Sequence, residues 1–315
     1  MDTSDFRIIS GTSNPEFAEE IANILGTKLS KVTIKEFSCG EIYVNLDETV
    51  REKEVFIIQT TRTNYMNRDL MELFILCDAA KRSFAKRVHV VIPYYSYARQ
   101  DKLHAPRESI SAKLMADLLT TSGAEQIITI NLHTDQIMAF FDIPVDNLNA
   151  RKLLAQIIKE KNISDPIIVS PDAGGAKMAK SFADELGYPL AILHKTRPEH
   201  NVSEVTHVIG NVKGKTPIIF DDMIDTAGSV CGAKRALIES GSNTDVYLVS
   251  THPVFSGPAV ERLSEAKFKE VIVTNSLPLK SEQKFEGLIQ VTIAPLIAEV
   301  IKNTIEKKSV SSLYF

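Results

Sequence analysis

The chain has 315 residues, enough for two domains of roughly 100–200 residues each. Hydrophobic residues make up 44% and charged residues 24%, ordinary globular values that exclude a disordered chain and supply material for sizeable cores. With 36 basic against 40 acidic residues the net charge is -4, which argues against a general nucleic-acid binder but leaves room for a local basic patch around a phosphorylated small molecule. Cys39, Cys77 and Cys231 are odd in number, far apart and without a CxxC pair. Neither a disulfide scaffold nor a structural zinc site is expected, and a reducing, cytoplasmic setting fits. The start, MDTSDFRIIS, is acidic and soon polar again, unlike a signal peptide. No apolar run approaches the roughly 20 residues needed to span a bilayer, so no membrane partner is expected.

In chain order, short runs rich in Val and Ile alternate with amphipathic stretches. Strands are predicted at 55–59 (VFIIQ), 88–93 (VHVVIP), 126–131 (QIITIN), 167–170 (IIVS), 217–220 (PIIF), 245–250 (DVYLVS) and 270–274 (EVIVT). Apolar on both faces, they have the pattern of strands buried in parallel sheets. Helices are predicted at 70–81 (LMELFILCDAAK), 111–119 (SAKLMADLL) and 229–240 (SVCGAKRALIES), where apolar residues recur at three- and four-residue spacing. A further helix is expected over 290–306. The alternation implies an α/β fold with sites at the C-terminal strand ends. The order also repeats. In the first half AAKRSFAK leads to VHVVIPYY and LLTTSGAE to QIITINLH; in the second, AKRALIESGSNT leads to DVYLVSTHP and ERLSEAKFK to EVIVTNSL. Two copies of one domain, with a junction near Asn149, account for this.

The sharpest segment is IIFDDMIDTAGS at 218–229. An apolar strand runs into Asp221 and Asp222, then Asp225, Thr226, Ala227, Gly228 and Ser229, and a predicted helix follows. Small residues let backbone N–H groups approach an anion, and a helix start favours negative charge. Carboxylates beside such a cradle need another partner, which sugar hydroxyls or Mg2+ would supply. GNVKGKT at 210–216 is one residue short of P-loop spacing and precedes a strand, so it is not a nucleotide loop. Taken singly, the other motifs also read as plain structure: PDAGG as a turn, Phe37 as core, two basic residues in TRPEHN as a solvated loop.

The 218–229 string resembles the 5-phosphoribosyl diphosphate loop of the type I phosphoribosyltransferase fold. Five further motifs stand in order: FSCGE at 37–41, YARQDK at 97–102, NLHTDQIMAFF at 131–141, SPDAGGAK at 170–177 and HKTRPEHNVSEV at 194–205, with SVSSLYF closing the chain. Together they resemble the ribose-phosphate pyrophosphokinase family from Ile8 to Phe315. The resemblance implies two tandem type I phosphoribosyltransferase-like domains, each a parallel sheet flanked by helices. They would span 1–148 and 149–290, with 291–315 a helix and tail packing back on the first. It implies transfer of the β,γ-diphosphoryl group of ATP to ribose 5-phosphate, with Mg2+ as cofactor.

Residue by residue, the resemblance implies that Phe37, Cys39, Gly40, Glu41, Arg99, Gln100 and Asp101 bind ATP. His133 and Asp172 match the metal-associated residues. Lys195 and Arg197 match the catalytic loop, by resemblance a closing lid, and the polar TRPEHN with Pro198 reads as an exposed loop. Arg197 also joins Asp221, Asp222, Asp225, Thr226, Ala227, Gly228 and Ser229 at ribose 5-phosphate. A homohexamer with its site between domains, and phosphate and ADP as effectors near Arg51 and the tail, complete the implied picture. Cys39 stands where an acid or amide is usual, Asn131 where an Asp precedes Leu–His, and Glu52 where Gly is usual. The alternatives are a phosphoribosyltransferase and a catalytically inactive, synthetase-associated regulatory subunit.

Overall fold

The computed structural model describes residues 5–199 and 202–313; the side chains of 195–206 and 312 lie outside that description. Two compact units divide the chain. The first comprises Met1–Asn149, Ser276–Pro278 and Thr292–Phe315, the second Ala150–Asn275 and Leu279–Val291.

The first unit opens with β1 (Phe6–Ser10) and α1 (Pro15–Ile24). Asn14 caps α1, its Oδ1 accepting the Phe17 N–H at 3.4 Å, and Pro15 takes the first helical turn, where its missing N–H costs nothing. An antiparallel hairpin follows, β2 (Val32–Glu36) and β3 (Ile42–Leu46). The chain then alternates through β4 (Glu54–Ile58), α2 (Met66–Arg82), β5 (Arg87–Val91), α3 (Ser111–Ser122), β6 (Gln126–Ile130) and β7 (Val145–Leu148). The five-stranded sheet is parallel throughout, in the order β1-β4-β5-β6-β7. Because side chains alternate along a strand, Ile9, Val55, Ile57, Val88, Val90 and Ile127 share one core with Leu73, Leu76 and Cys77 of α2 and Ala116 and Leu119 of α3. Residues of the other parity, among them Ile8, Phe56, Ile58 and Ile128, are equally buried, as the doubly apolar runs require.

One polar row crosses that second face. Glu54 of β4, His89 of β5, Gln126 of β6 and Asp146 of β7 are hydrogen-bonded in succession, with Glu54 Oε2 2.8 Å from His89 Nε2. Phe56 stacks on the His89 ring at 4.4 Å, and Lys86 Nζ lies 3.1 Å from Glu54 Oε1.

The second unit runs α4 (Arg151–Glu160), β8 (Pro166–Ser170), α5 (Ala176–Leu186), β9 (Leu190–Glu199), β10 (Val202–Ile209), β11 (Thr216–Ile224), α6 (Gly228–Glu239), β12 (Tyr247–Pro253), α7 (Ala259–Ala266), β13 (Glu270–Thr274) and β14 (Leu288–Val291). Its seven-stranded sheet has the order β10-β9-β8-β11-β12-β13-β14, with only the β9–β10 pair antiparallel. From β8 the chain turns to β9 on one side and later to β11 on the other, so a topological switch point lies between β8 and β11. The last helix, α8 (Ala294–Ile305), belongs to the first unit and packs on α1, and Thr292 Oγ1 donates to Glu20 at 2.9 Å.

The α/β class with parallel sheets flanked by helices agrees with the sequence reading. So does the repeat: β1-β4-β5-β6-β7 and β8-β11-β12-β13-β14 follow the same order, each with a hairpin inserted before its second strand. The stretch expected as an exposed lid differs. Residues 190–199 and 202–209 form a hairpin, because the alternating VSEVTHVI pairs antiparallel with β9 beyond the end of β8. Pro198 has no register partner there, consistent with a bulge that tolerates a missing N–H. No helix among the described residues is long and apolar enough to cross a membrane.

The His89 hydrogen bond, opposed by burial and assisted by Lys86, holds the Glu54 carboxyl down at about 2 against an ordinary 4.5. A depressed carboxyl stabilises the fold above its unfolded value and loses that contribution as pH falls through the folded one. Glu54→Gln is therefore expected to cost about 1–3 kcal/mol at neutral pH. The deficit should shrink as pH falls from 4.5 towards 2; urea midpoints of both proteins at neutral and acid pH check it.

Candidate functional site

At the switch point β11 outruns its neighbour. Its pairing with β8 ends at Ile219 and Val169, and the strand continues to Ile224. Phe220 anchors this stretch by stacking on Phe182 of α5, ring centroids 4.0 Å apart. Next comes Asp221, whose carboxyl is pushed well above the carboxylate range by burial, then by the facing charges of Asp222 and Asp172. Asp222 is buried, and its Oδ1 accepts the Met223 N–H at 2.9 Å. Asp172 follows β8; its Oδ1 accepts the Gly175 N–H at 3.0 Å, and Ser170 Oγ donates to its carbonyl at 2.7 Å. Crowding keeps this turn free of side chains: a β-carbon on Gly175 would stand 3.1 Å from Ser170 Oγ, and one on Gly174 3.3 Å from Asp172 Oδ1. Asp172, Asp221 and Asp222 thus stand at the ends of two adjoining strands, where a cation or hydroxyl donors would relieve the repulsion between them.

Past β11 lies the 225–229 turn. Ala227 adopts φ 60, a left-handed conformation that few non-glycine residues take, and α6 begins at Gly228. Thr226, Gly228 and Ser229 are exposed at the start of α6, whose first N–H groups have no intrahelical partners. Hydrogen bonds from further along the chain hold the turn: Phe255 N to Ile224 O at 2.9 Å, Ser256 N to Asp225 O at 3.1 Å, Ser256 Oγ to Asp225 Oδ1, and Arg262 NH1 to Thr226 O at 3.0 Å. Neither Ser256 nor Arg262 carries a local sequence signal, their side-chain partners being 31 and 36 residues away. The side chains of Lys195 and Arg197 lie outside the described residues, although their backbone belongs to β9.

In the first unit, Phe37, Cys39, Gly40 and Glu41 sit exposed on the turn of the β2–β3 hairpin. Gly40 at φ 91 closes that turn, donating to Phe37 O at 2.8 Å, and Phe37 meets Tyr43 edge to face at 6.0 Å. Arg68 ties the hairpin to α2: its Nε donates to Glu36 at 3.1 Å, and its NH1 to Thr12 Oγ1 at 3.0 Å and to the buried Glu72 at 2.8 Å. Arg99 and Gln100 are exposed on the segment after β5. Ser111 Oγ donates to Gln100 Oε1 at 2.6 Å, which leaves the amide N–H groups for a ligand. Thr134 Oγ1 donates to Asp101 at 2.8 Å, so the 97–102 and 131–134 segments lie side by side and His133 is exposed beside Asp101's partner.

Among the described residues no group of three His, Cys, Asp or Glu side chains is disposed to hold a metal ion. Mg2+ takes few protein oxygens, with water and phosphates completing its shell, and the carboxylate oxygens of Asp172 fit that demand. The nitrogen of His133 suits it less well.

Two family models match the chain: residues 6–123 match the N-terminal domain of ribose phosphate pyrophosphokinase, and residues 198–315 the phosphoribosyl synthetase-associated domain. The ribose-phosphate pyrophosphokinase of Bacillus subtilis (strain 168) is 47% identical over 310 residues, covering 98% of this chain and 97% of that protein. That of Corynebacterium ammoniagenes is 47% identical over 311 residues, 99% of this chain and 98% of that protein. The crystal structure of phosphoribosylpyrophosphate synthetase from Mycobacterium smegmatis superposes with a TM-score of 0.91 at 45% identity, covering 96% of this chain and 99% of that one.

Asn131 proves to be a turn residue. It takes φ 46, its N–H donates to Leu148 O at 2.9 Å, and its amide donates to Asn149 Oδ1 at 3.2 Å. Asp tolerates the same backbone and adds a negative charge two residues from His133, so Asn131→Asp is expected to lower the divalent-cation concentration for half-maximal activity; an unchanged titration would leave Asn131 with the turn alone.

Proposed function

The chain belongs to the ribose-phosphate pyrophosphokinase family, and on that premise we propose how its reaction is laid out over its two units. The enzyme is a diphosphotransferase: the β,γ-diphosphoryl group of ATP passes to the C1 hydroxyl of ribose 5-phosphate, giving 5-phosphoribosyl 1-diphosphate and AMP. The observation that carries the layout is the placing of Asp221 and Asp222 on the stretch of β11 that outruns β8, next to the turn after β8 that holds Asp172 and just before a turn that opens a helix. A pentose phosphate matches both features. Its hydroxyls donate to Asp221 and Asp222, and its 5-phosphate accepts from the N–H groups of 225–229 and the hydroxyls of Thr226 and Ser229.

On residues 1–148 we assign ATP to Phe37, Cys39, Gly40, Glu41, Arg99, Gln100 and Asp101. Phe37 offers an exposed ring for the base, Gln100 an amide for its edge and Arg99 planar donors for phosphates. Residues 149–290 take ribose 5-phosphate, with 291–315 returning to the first domain. The helix α8 packed on α1 supports that last division. Mg2+ is the cofactor of this reading, held by Asp172 and, by family resemblance, His133. When bound, it supplies positive charge to the phosphate oxygens. Lys195 and Arg197, which also contacts ribose 5-phosphate, are the catalytic cations that stabilise charge developing on the transferred group. A cytoplasmic homohexamer responding to phosphate and ADP completes the proposal, with family resemblance as its support. The full-length likeness to pyrophosphokinases does not favour a phosphoribosyltransferase or an inactive subunit.

Two measurements test this. Chromatography of the nucleotide products is expected to show AMP formed only when ribose 5-phosphate is present; ADP as the primary product would mean a simple sugar kinase. Lys195→Ala is expected to lower kcat by roughly 10²–10⁴ while KM for ATP changes little, and near-normal turnover would make Lys195 an ordinary surface lysine.

A further inference from the structure

We propose that Ser256 and Arg262 are positioning residues for the 225–228 turn, holding its peptide groups so that their N–H donors face ribose 5-phosphate. The proposal rests on reading this turn as the 5-phosphate site.

The argument begins with planar peptides. In a trans peptide the C=O and the following N–H point in opposite directions. Three successive carbonyls, those of Ile224, Asp225 and Thr226, accept from Phe255 N, Ser256 N and Arg262 NH1, at 2.9, 3.1 and 3.0 Å. All three donors come from one stretch, the exit of β12 and the first turns of α7. Drawing the carbonyls to that side turns the N–H groups of Asp225, Thr226 and Ala227 to the other. Successive N–H groups on one side form a concave anion site, and Ala227 at φ 60 is the left-handed residue such a turn needs.

The two side chains do separate work. Ser256 Oγ donates to Asp225 Oδ1 and fixes the carboxyl at the mouth of the turn. Arg262 reaches back from α7 to the Thr226 carbonyl, and its NH1 would stand only 3.3 Å from a β-carbon on Gly228. Its platform is fixed: Lys234 of α6 donates to Ala266 O at 2.7 Å at the end of α7, and lies 5.0 Å from the Phe268 ring centroid. Arg262 therefore acts through the backbone of the turn.

The test is a pair of substrate titrations on purified Arg262→Ala, Arg262→Lys and Ser256→Ala, with thermal melts alongside. Arg262→Ala is expected to raise KM for ribose 5-phosphate about tenfold, the scale of one well-placed hydrogen bond, with KM for ATP and Tm unchanged. Arg262→Lys, which keeps a donor, should recover part of the loss, and Ser256→Ala should raise the same KM by a smaller factor. Unchanged KM for ribose 5-phosphate in both alanine variants overturns the proposal. So does a parallel loss in both substrates' KM and in Tm, the mark of a merely structural residue. Should Arg262→Ala fail to fold, Ser256→Ala carries the decision. If the wild-type chain forms no AMP from ribose 5-phosphate and ATP, the underlying functional reading fails instead.

Discussion

Asp221 is driven towards its neutral form by burial and by the facing carboxyl groups of Asp222 and Asp172. The sheet itself creates the conflict: β11 outruns β8, and the chain leaves β8 in one direction only to return on its other side. Strand ends exposed at such a crossing have no helix above them, so polar groups gather there without burying the whole cluster. Acids gathered at adjoining strand ends do not serve stability alone, since a polar substitution at Asp221 or Asp222 would relieve repulsion. Their company makes sense once a sugar or a hydrated cation shares the crevice.

The two units share one topology. In each, a hairpin is inserted after the first strand–helix pair and before the second strand of the sheet. The first hairpin remains a separate two-stranded ribbon and carries Phe37–Glu41 at its tip; the second joins the edge of its sheet and carries Lys195 and Arg197. The scaffold beneath is exacting. A β-carbon on Gly11 would fall 2.2 Å from Gln59 Oε1, within a network in which Glu72 accepts from Thr12, Gln59 and Arg68.

Local pattern was enough to read much of this. Seven strands showed themselves as runs apolar on both faces, since a parallel sheet covered on both sides leaves no polar alternation to blur them. The 218–229 string was legible because strand, acids, small residues and helix start are consecutive, whereas the segments around Arg99 and His133 stood out only through the family resemblance. The expected lid misled because its polar composition hid an alternation that becomes a strand only with a partner beside it.

Local pattern therefore settled the α/β class and the repeat, and the ordered motifs carried the family resemblance and the residue types of the 225–229 turn, all of which depend on neighbours in sequence. Tertiary structure alone decided that Asp172 and Asp221 lie at the ends of the adjoining strands β8 and β11, that Asn131 serves a turn, and that Ser256 and Arg262 bond the 225–226 segment from 31 and 36 residues away. Those arrangements are set by hydrogen bonds and charges that meet only when parallel strands lie side by side, and no local periodicity records which distant side chain will arrive there.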